Sequence, residues 1–131
     1  METSIELVVR PTEIDVNGHV NNGKYVDYLE WGREDWYERH QLDYDTLLSL
    51  GAITVTVNLN LNFRRECRQG ERLTVVTRPE RLGRTSFALS QEIRKADGTI
   101  AADAVVTLVT IDPGSRASRP VPEPLAKPFT A

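Results

Sequence analysis

The chain has little of what marks several protein classes. Cys67 is the single cysteine among 131 residues, which excludes an internal disulfide and any multi-cysteine metal site. No apolar run approaches the roughly 20 residues needed to cross a bilayer, and the opening METSIELVVR lacks a basic-then-apolar signal pattern. Sixteen basic residues against nineteen acidic ones give a net charge of -3, so there is no basic excess for a nucleic-acid or anionic-membrane surface. Any anionic ligand has to be held locally. These absences predict a soluble, cytoplasmic protein with no membrane insertion and no nucleic-acid partner. No internal repeat is present, and a chain of this length with 40% apolar composition suffices for one compact core.

What is there is periodic. Residues 4–10 alternate Ile5, Leu7 and Val9 with Glu6 and Arg10, the pattern of a half-buried strand, which Pro11 ends. From about residue 22 to 40 the spacing becomes helical, with Tyr25, Leu29, Gly32 and Trp36 on one stripe and Lys24, Asp27, Glu34 and Glu38 elsewhere. Gly32 costs about 1 kcal/mol of helix propensity relative to alanine, so its place on the apolar stripe predicts close approach to another backbone. The stretch ITVTVNLNLNFRRE alternates Ile53, Val55, Val57, Leu59, Leu61 and Phe63 with Thr and Asn, which predicts a strand with one buried face. Further strands are expected over 72–78, 85–94 and 99–111, with Asp97-Gly98 as a hairpin turn, in an antiparallel meander. Five of the seven prolines follow Asp112, so residues 113–131 are expected to form an extended or disordered tail behind one domain over 1–112.

The chemistry concentrates in EIDVNGHVNNGKYVDYLEW, where Asp15, Asn17 and His19 alternate just before the helix. In an extended approach that period places all three on one side. Helix capping accounts for part of the stretch: Asn21 or Asn22 suits the N-cap, Gly18 suits a turn, and a carboxylate favours the helix dipole. It does not account for the triplet. Hydrolysis at a carbonyl, one chemistry such a cluster is able to serve, needs an oxygen nucleophile or a water-activating base, plus donors aimed at the developing oxyanion. Asp15 meets the first need, and helix-start amides around residues 20–23 meet the second.

Glu66 and Cys67 compete for a role at the far end of the long strand. With unbroken pairing, Cys67 shares the buried face and Glu66 lies with Asn60 and Asn62; a bulge across 64–68 would undo that count. A Cys67, His19, Asn17 nucleophilic set is chemically reasonable, and a small buried thiol is the plainer alternative. Arg64, Arg65, Arg68, Arg72 and Arg84 are able to contact phosphate, but a solvated, salt-bridged strand edge accounts for most of them.

The segment DVNGHVNNGKY resembles the D-x-N-x-H-x-N-N-x-x-Y signature of the hotdog-fold acyl thioesterases. It is most like the plant-type acyl-carrier-protein thioesterases and their bacterial relatives, within the wider 4-hydroxybenzoyl-CoA thioesterase-like family. FRREC, residues 63–67, resembles the aromatic-R-R/K-E-C segment of the same family, and the order of elements extends the likeness over about residues 4–112. The resemblance implies an α+β hotdog fold, with one long helix wrapped by a curved antiparallel sheet of about five strands. It implies hydrolysis of an acyl-CoA or acyl-ACP thioester by water, with no metal and no organic cofactor. Asp15, Asn17, His19 and Glu66 would then be catalytic, and Asn22 and Tyr25 would contact substrate. The likeness also favours Glu66 over Cys67 and implies a homodimer or tetramer with the site at a subunit interface. Hotdog hydratases are a rival, but their pattern is D-x-N-x-x-H and His19 comes one residue sooner. A thioester-binding module without turnover is the other rival; its mark would be a lost carboxylate, and Asp15 and Glu66 are both present.

Overall fold

The computed structural model describes residues 2–130. Strand β1 (Thr3–Val8) alternates as the sequence predicts, with Ile5 and Leu7 packed on the core and Ser4 and Glu6 outward. A short 3-10 turn at Pro11–Glu13 and a polar loop lead into helix α1 (Asn22–Arg39). Asn21 is its N-cap, the side chain accepting the Gly23 amide at 2.8 Å. The predicted stripe is the buried one: Tyr25, Leu29, Gly32 and Trp36 all face inward, joined by Tyr28 and Arg33. A one-turn-and-a-half helix, α2 (Tyr44–Ser49), follows. Then come β2 (Ile53–Phe63), β3 (Arg72–Leu82), β4 (Ser86–Lys95) and β5 (Ile100–Ile111).

The five strands form one antiparallel sheet in the order β1-β3-β4-β5-β2, folded around α1 as a hotdog fold. The meander holds for β3-β4-β5 only, because β2 pairs with β5 and becomes an edge. Among the described residues no helix is long and apolar enough to cross a membrane.

Three expectations need correction, and one element was not expected. Gly32 is required by side chains rather than backbone: a Cβ there would lie 2.7 Å from Val75 Cγ1 and 3.1 Å from Gln91 Nε2 and Thr77 Oγ1. The six alternating apolar residues of β2 do not share a face. Register slips between Thr56 and Asn58, so Leu59 and Leu61 pack on the core while Ile53 and Val55 pair with Ile111 and Val109 on the side away from α1. Helix α2 has no counterpart in the periodicity. The proline-rich segment is not a disordered tail. Ser118 bridges to Ile111, α3 (Glu123–Ala126) buries Leu125 completely, and Phe129 stacks edge-on against Trp36 and Phe87. Proline supports this compact path because it starts short helices at their first positions, where no amide donor is needed.

Two hydrophobic clusters result. One lies under the start of α1 and includes Tyr25, Tyr28, Leu29, Cys67, Val75 and Ile93; the other lies at its far end around Trp36, Leu42, Phe87, Leu89 and Leu125. A polar belt crosses between them. Gln91 donates to Thr77 Oγ1 and to the Leu29 carbonyl, both at 2.9 Å, and accepts from Arg33 Nη1 at 3.0 Å. Burial lowers the Arg33 pKa, and these bonds satisfy part of what its guanidinium loses on leaving water.

Candidate active site

The approach to α1 is a closed turn, not an extended strand. Ile14 and Val20 form an isolated antiparallel bridge, the Asp15 amide donates to the His19 carbonyl at 2.9 Å, and Gly18 sits at φ 84°. Asp15 Oδ1 accepts the Asn17 amide at 2.9 Å, an Asx turn that shapes the loop. The sequence period of two therefore does not set these side chains on one side of a strand. The turn brings Asp15 beside His19 by a different route and leaves Asn17 exposed at its tip.

Both ends of this loop are tied to the core. Val20 donates to the Cys67 carbonyl at 2.8 Å, and Asn21 donates to that of Glu13 at 2.9 Å. Glu13, nearly buried, accepts from the Tyr28 hydroxyl and from the Arg10 amide, each at 2.8 Å. Burial and that carboxylate push the Tyr28 pKa well above the ordinary tyrosine value, so the phenol stays a donor. Sequence reasoning passed over Glu13, whose importance comes from a partner 15 residues away on the next element. No local pattern announces such a contact.

At its other end the site is built from the strand that fails. β2 stops at Phe63, and the Arg64 and Arg65 amides both donate to the Ala101 carbonyl, at 2.8 and 3.0 Å. Two donors on one acceptor break the alternation, which is the irregularity that parity counting could not survive. Cys67 does end up buried, as parity from Phe63 predicts. Glu66 instead turns toward the loop: its Oε2 lies 3.8 Å from His19 Nε2, and Asp15 Oδ1 lies 4.0 Å from His19 Nδ1. His19 is thus flanked by two carboxylates from separate segments, at distances beyond direct hydrogen-bond length. Glu66 is about half exposed and also accepts from Arg68 Nη2 at 2.9 Å.

A shallow cleft of about 210 Å³ opens here, walled by His19, Asn22, Tyr25 and the segment Phe63 to Glu66. Asp15 and Asn17 are not part of its wall. Phe63 packs edge-on against Tyr25, whose hydroxyl donates to the Arg65 carbonyl at 3.3 Å and faces the Cys67 thiol. Of the helix-start amides, those of Val20, Asn21 and Gly23 are already paired. The Asn22 amide, on the cleft wall, has no acceptor among the described residues. Cys67 is fully buried, and burial raises its thiol pKa despite the favourable Tyr25 hydroxyl. The described residues contain no His/Cys/Asp/Glu group arranged to hold a metal ion.

Comparison with known proteins decides the family. Residues 9–129 match the model of the thioesterase-like superfamily. The chain belongs to that family. Among its relatives is the long-chain acyl-CoA thioesterase FadM of Escherichia coli, 35% identical over 113 residues that span 86% of this chain and 83% of FadM. A chloroplastic acyl-acyl carrier protein thioesterase of Arabidopsis thaliana is 31% identical over 74 residues, covering 56% of this chain and 39% of the plant protein. A Staphylococcus aureus protein solved in complex with CoA shares the fold at TM-score 0.91 with 20% identity, over 98% of this chain and 82% of that one. The bacterial match thus spans far more of this thioesterase than the plant one.

Proposed function

We propose that this thioester hydrolase acts on an acyl-CoA, releasing the carboxylic acid and free CoA. The observation that carries the reading is the His19 ring, within 4.0 Å of both Asp15 and Glu66, on a cleft also lined by Asn22, whose amide has no acceptor among the described residues. The wide match to an acyl-CoA thioesterase favours CoA over a carrier protein as the thiol carrier.

In this reading Glu66 takes a proton from water as the water oxygen attacks the thioester carbonyl carbon. Its exposure and its place on the cleft wall give it access to solvent. His19 orients that carboxylate, or the water between them, and Asp15 fixes the ring from behind. The Asn22 amide receives the oxyanion of the tetrahedral intermediate, where the α1 dipole favours negative charge. Collapse re-forms the carbonyl and breaks the C–S bond, and the leaving sulfur takes the proton that Glu66 received from water, which restores the carboxylate. Tyr25 holds the Phe63 to Cys67 segment from below, and Asn17 serves the turn that sets Asp15.

The same reading makes the working enzyme a homodimer or a tetramer, located in the cytoplasm. Edge strand β2 exposes Val57 and Phe63, and Phe63 also walls the cleft, so a second copy laid along β2 would complete the site. A thiol-release assay over acyl-CoA and acyl-carrier-protein thioesters tests the function. Release is expected from acyl-CoA first; no release from any ester would favour a binding module without turnover.

A further inference from the structure

Four cations on or near the cleft wall already have carboxylate partners. Arg64 Nε donates to Asp103 at 2.9 Å, Arg68 to Glu66 at 2.9 Å, Lys95 pairs with Glu71 at 3.2 Å, and Lys24 pairs with Asp27 at 3.5 Å. Arg65 differs. Among the described residues it has no carboxylate partner, and its guanidinium makes only a long 3.4 Å contact with the Arg64 carbonyl.

Its backbone is as fixed as its head is free. The Arg65 amide donates to the Ala101 carbonyl at 3.0 Å, and its own carbonyl accepts from the Tyr25 hydroxyl. The side chain is exposed on the cleft wall next to Glu66. Fixing the stem of a binding group in advance lowers the entropy cost of using it.

The size of the cleft says what Arg65 meets. The part of the cleft that one chain forms, about 210 Å³, is below the range of pockets that enclose a drug-sized ligand, so it has room for the thioester and the atoms beside it. The rest of a CoA-type carrier, including its phosphates, has to lie across the rim. A planar guanidinium offers a phosphate two parallel donors.

We propose that Arg65 is the anion anchor of this site, binding a phosphate on the pantetheine-type carrier of the thioester. The inference rests on the thioesterase reading above. The phosphate belongs to the 4′-phosphopantetheine arm or to the nucleotide of CoA, and substrates separate the two. One acyl group is presented on CoA, on 4′-phosphopantetheine and on pantetheine, and hydrolysis is followed for the unaltered enzyme, Arg65→Ala, Arg65→Lys and Arg64→Ala.

Arg65→Ala is expected to raise KM about tenfold for phosphate-bearing esters, the scale of one charge-assisted contact, with kcat and the pantetheine ester unaffected. Loss on CoA alone assigns the nucleotide phosphates; loss shared with phosphopantetheine assigns the 4′-phosphate. Arg65→Lys should recover part of the KM, and Arg64→Ala should change it little. Salt should raise the CoA KM of the unaltered enzyme more than that of Arg65→Ala. Equal loss on all three carriers, or no loss on any, overturns the proposal. If no ester is hydrolysed by the unaltered enzyme, the thioesterase reading fails instead. Calorimetric binding of CoA itself still decides about Arg65 then, since equal affinity of both proteins would exclude the anchor.

Discussion

Helix α1 carries a hydrophobic cluster at each end, and the two are finished differently. At the far end, Trp36, Phe87 and Leu125 are closed over by the returning C-terminal segment, and the surface there is spent on sealing. At the near end, Tyr25, Tyr28 and Cys67 are equally buried, yet above them lie His19, Glu66 and Asp15, each partly exposed. The packed floor is similar in both places; the roof is not. A close-packed floor fixes where the loop 13–20 and the segment 63–67 attach, while the ionisable groups above it stay in contact with water. The end that is left open is the one the proposed function uses.

Glu66→Gln gives the widest separation between the two ends. It keeps shape and removes charge, so turnover should fall by a hundredfold or more, within the range of about 10²–10⁴ for general acid-base catalysis, with an unchanged melting curve. Asp15→Asn and His19→Ala should each cost about a hundredfold by the same measurement. A stable, active Glu66→Gln variant would remove the distinction between the ends.

Leu125→Ala tests the opposite end. Its side chain is fully buried, and truncating a core leucine costs about 2–5 kcal/mol. Chemical denaturation should show that loss while kcat per folded molecule stays near that of the unaltered enzyme. An undiminished stability would mean that the proline-rich segment does not seal the cluster.

Between the ends stands Gly32, opposite the polar belt. Alanine there gains about 1 kcal/mol of helix propensity but drives a Cβ to 2.7 Å from Val75, an overpacking cost of about 1–3 kcal/mol. A net loss of about 1 kcal/mol in denaturation is expected, with little effect on turnover. A stabilised variant would show that Val75 yields freely and that the approach at this point is loose.

The floor was far more legible in the sequence than the roof. The stripe Tyr25, Leu29, Gly32, Trp36 and the alternation of β1 are local periodicities, and burial enforces them directly. What the sequence concealed is non-local or irregular. The slip at Val57 turns half of β2 over, and nothing in an unbroken Val-Thr-Val alternation signals it. The turn at 15–19 imitates a strand in its spacing while Asp15 and Gly18 close it. Packing of the proline-rich segment depends on aromatic partners 42 and 93 residues earlier in the chain, Phe87 and Trp36 against Phe129. Spacing and family motifs point to His19 and a family motif to Glu66, and only the fold shows that two chain irregularities bring them together.

The smallest expected effect bears on Cys67, which belongs to the floor although it adjoins Glu66 in sequence. A nucleophilic cysteine works as a thiolate, and burial at this position raises the thiol pKa above its ordinary value. At neutral pH the group is therefore protonated, and the thiolate fraction grows only as pH rises beyond the usual thiol range. Cys67→Ser should leave kcat/KM within about twofold and cost about 1 kcal/mol of stability, the scale of a buried hydroxyl that finds a partner in the Tyr25 hydroxyl. Iodoacetamide labelling of the folded protein should be slow at neutral pH and should not track activity. Rapid labelling that abolished turnover, together with an inactive serine variant and an active Glu66→Gln, would move Cys67 from the floor to the roof and make His19 its base.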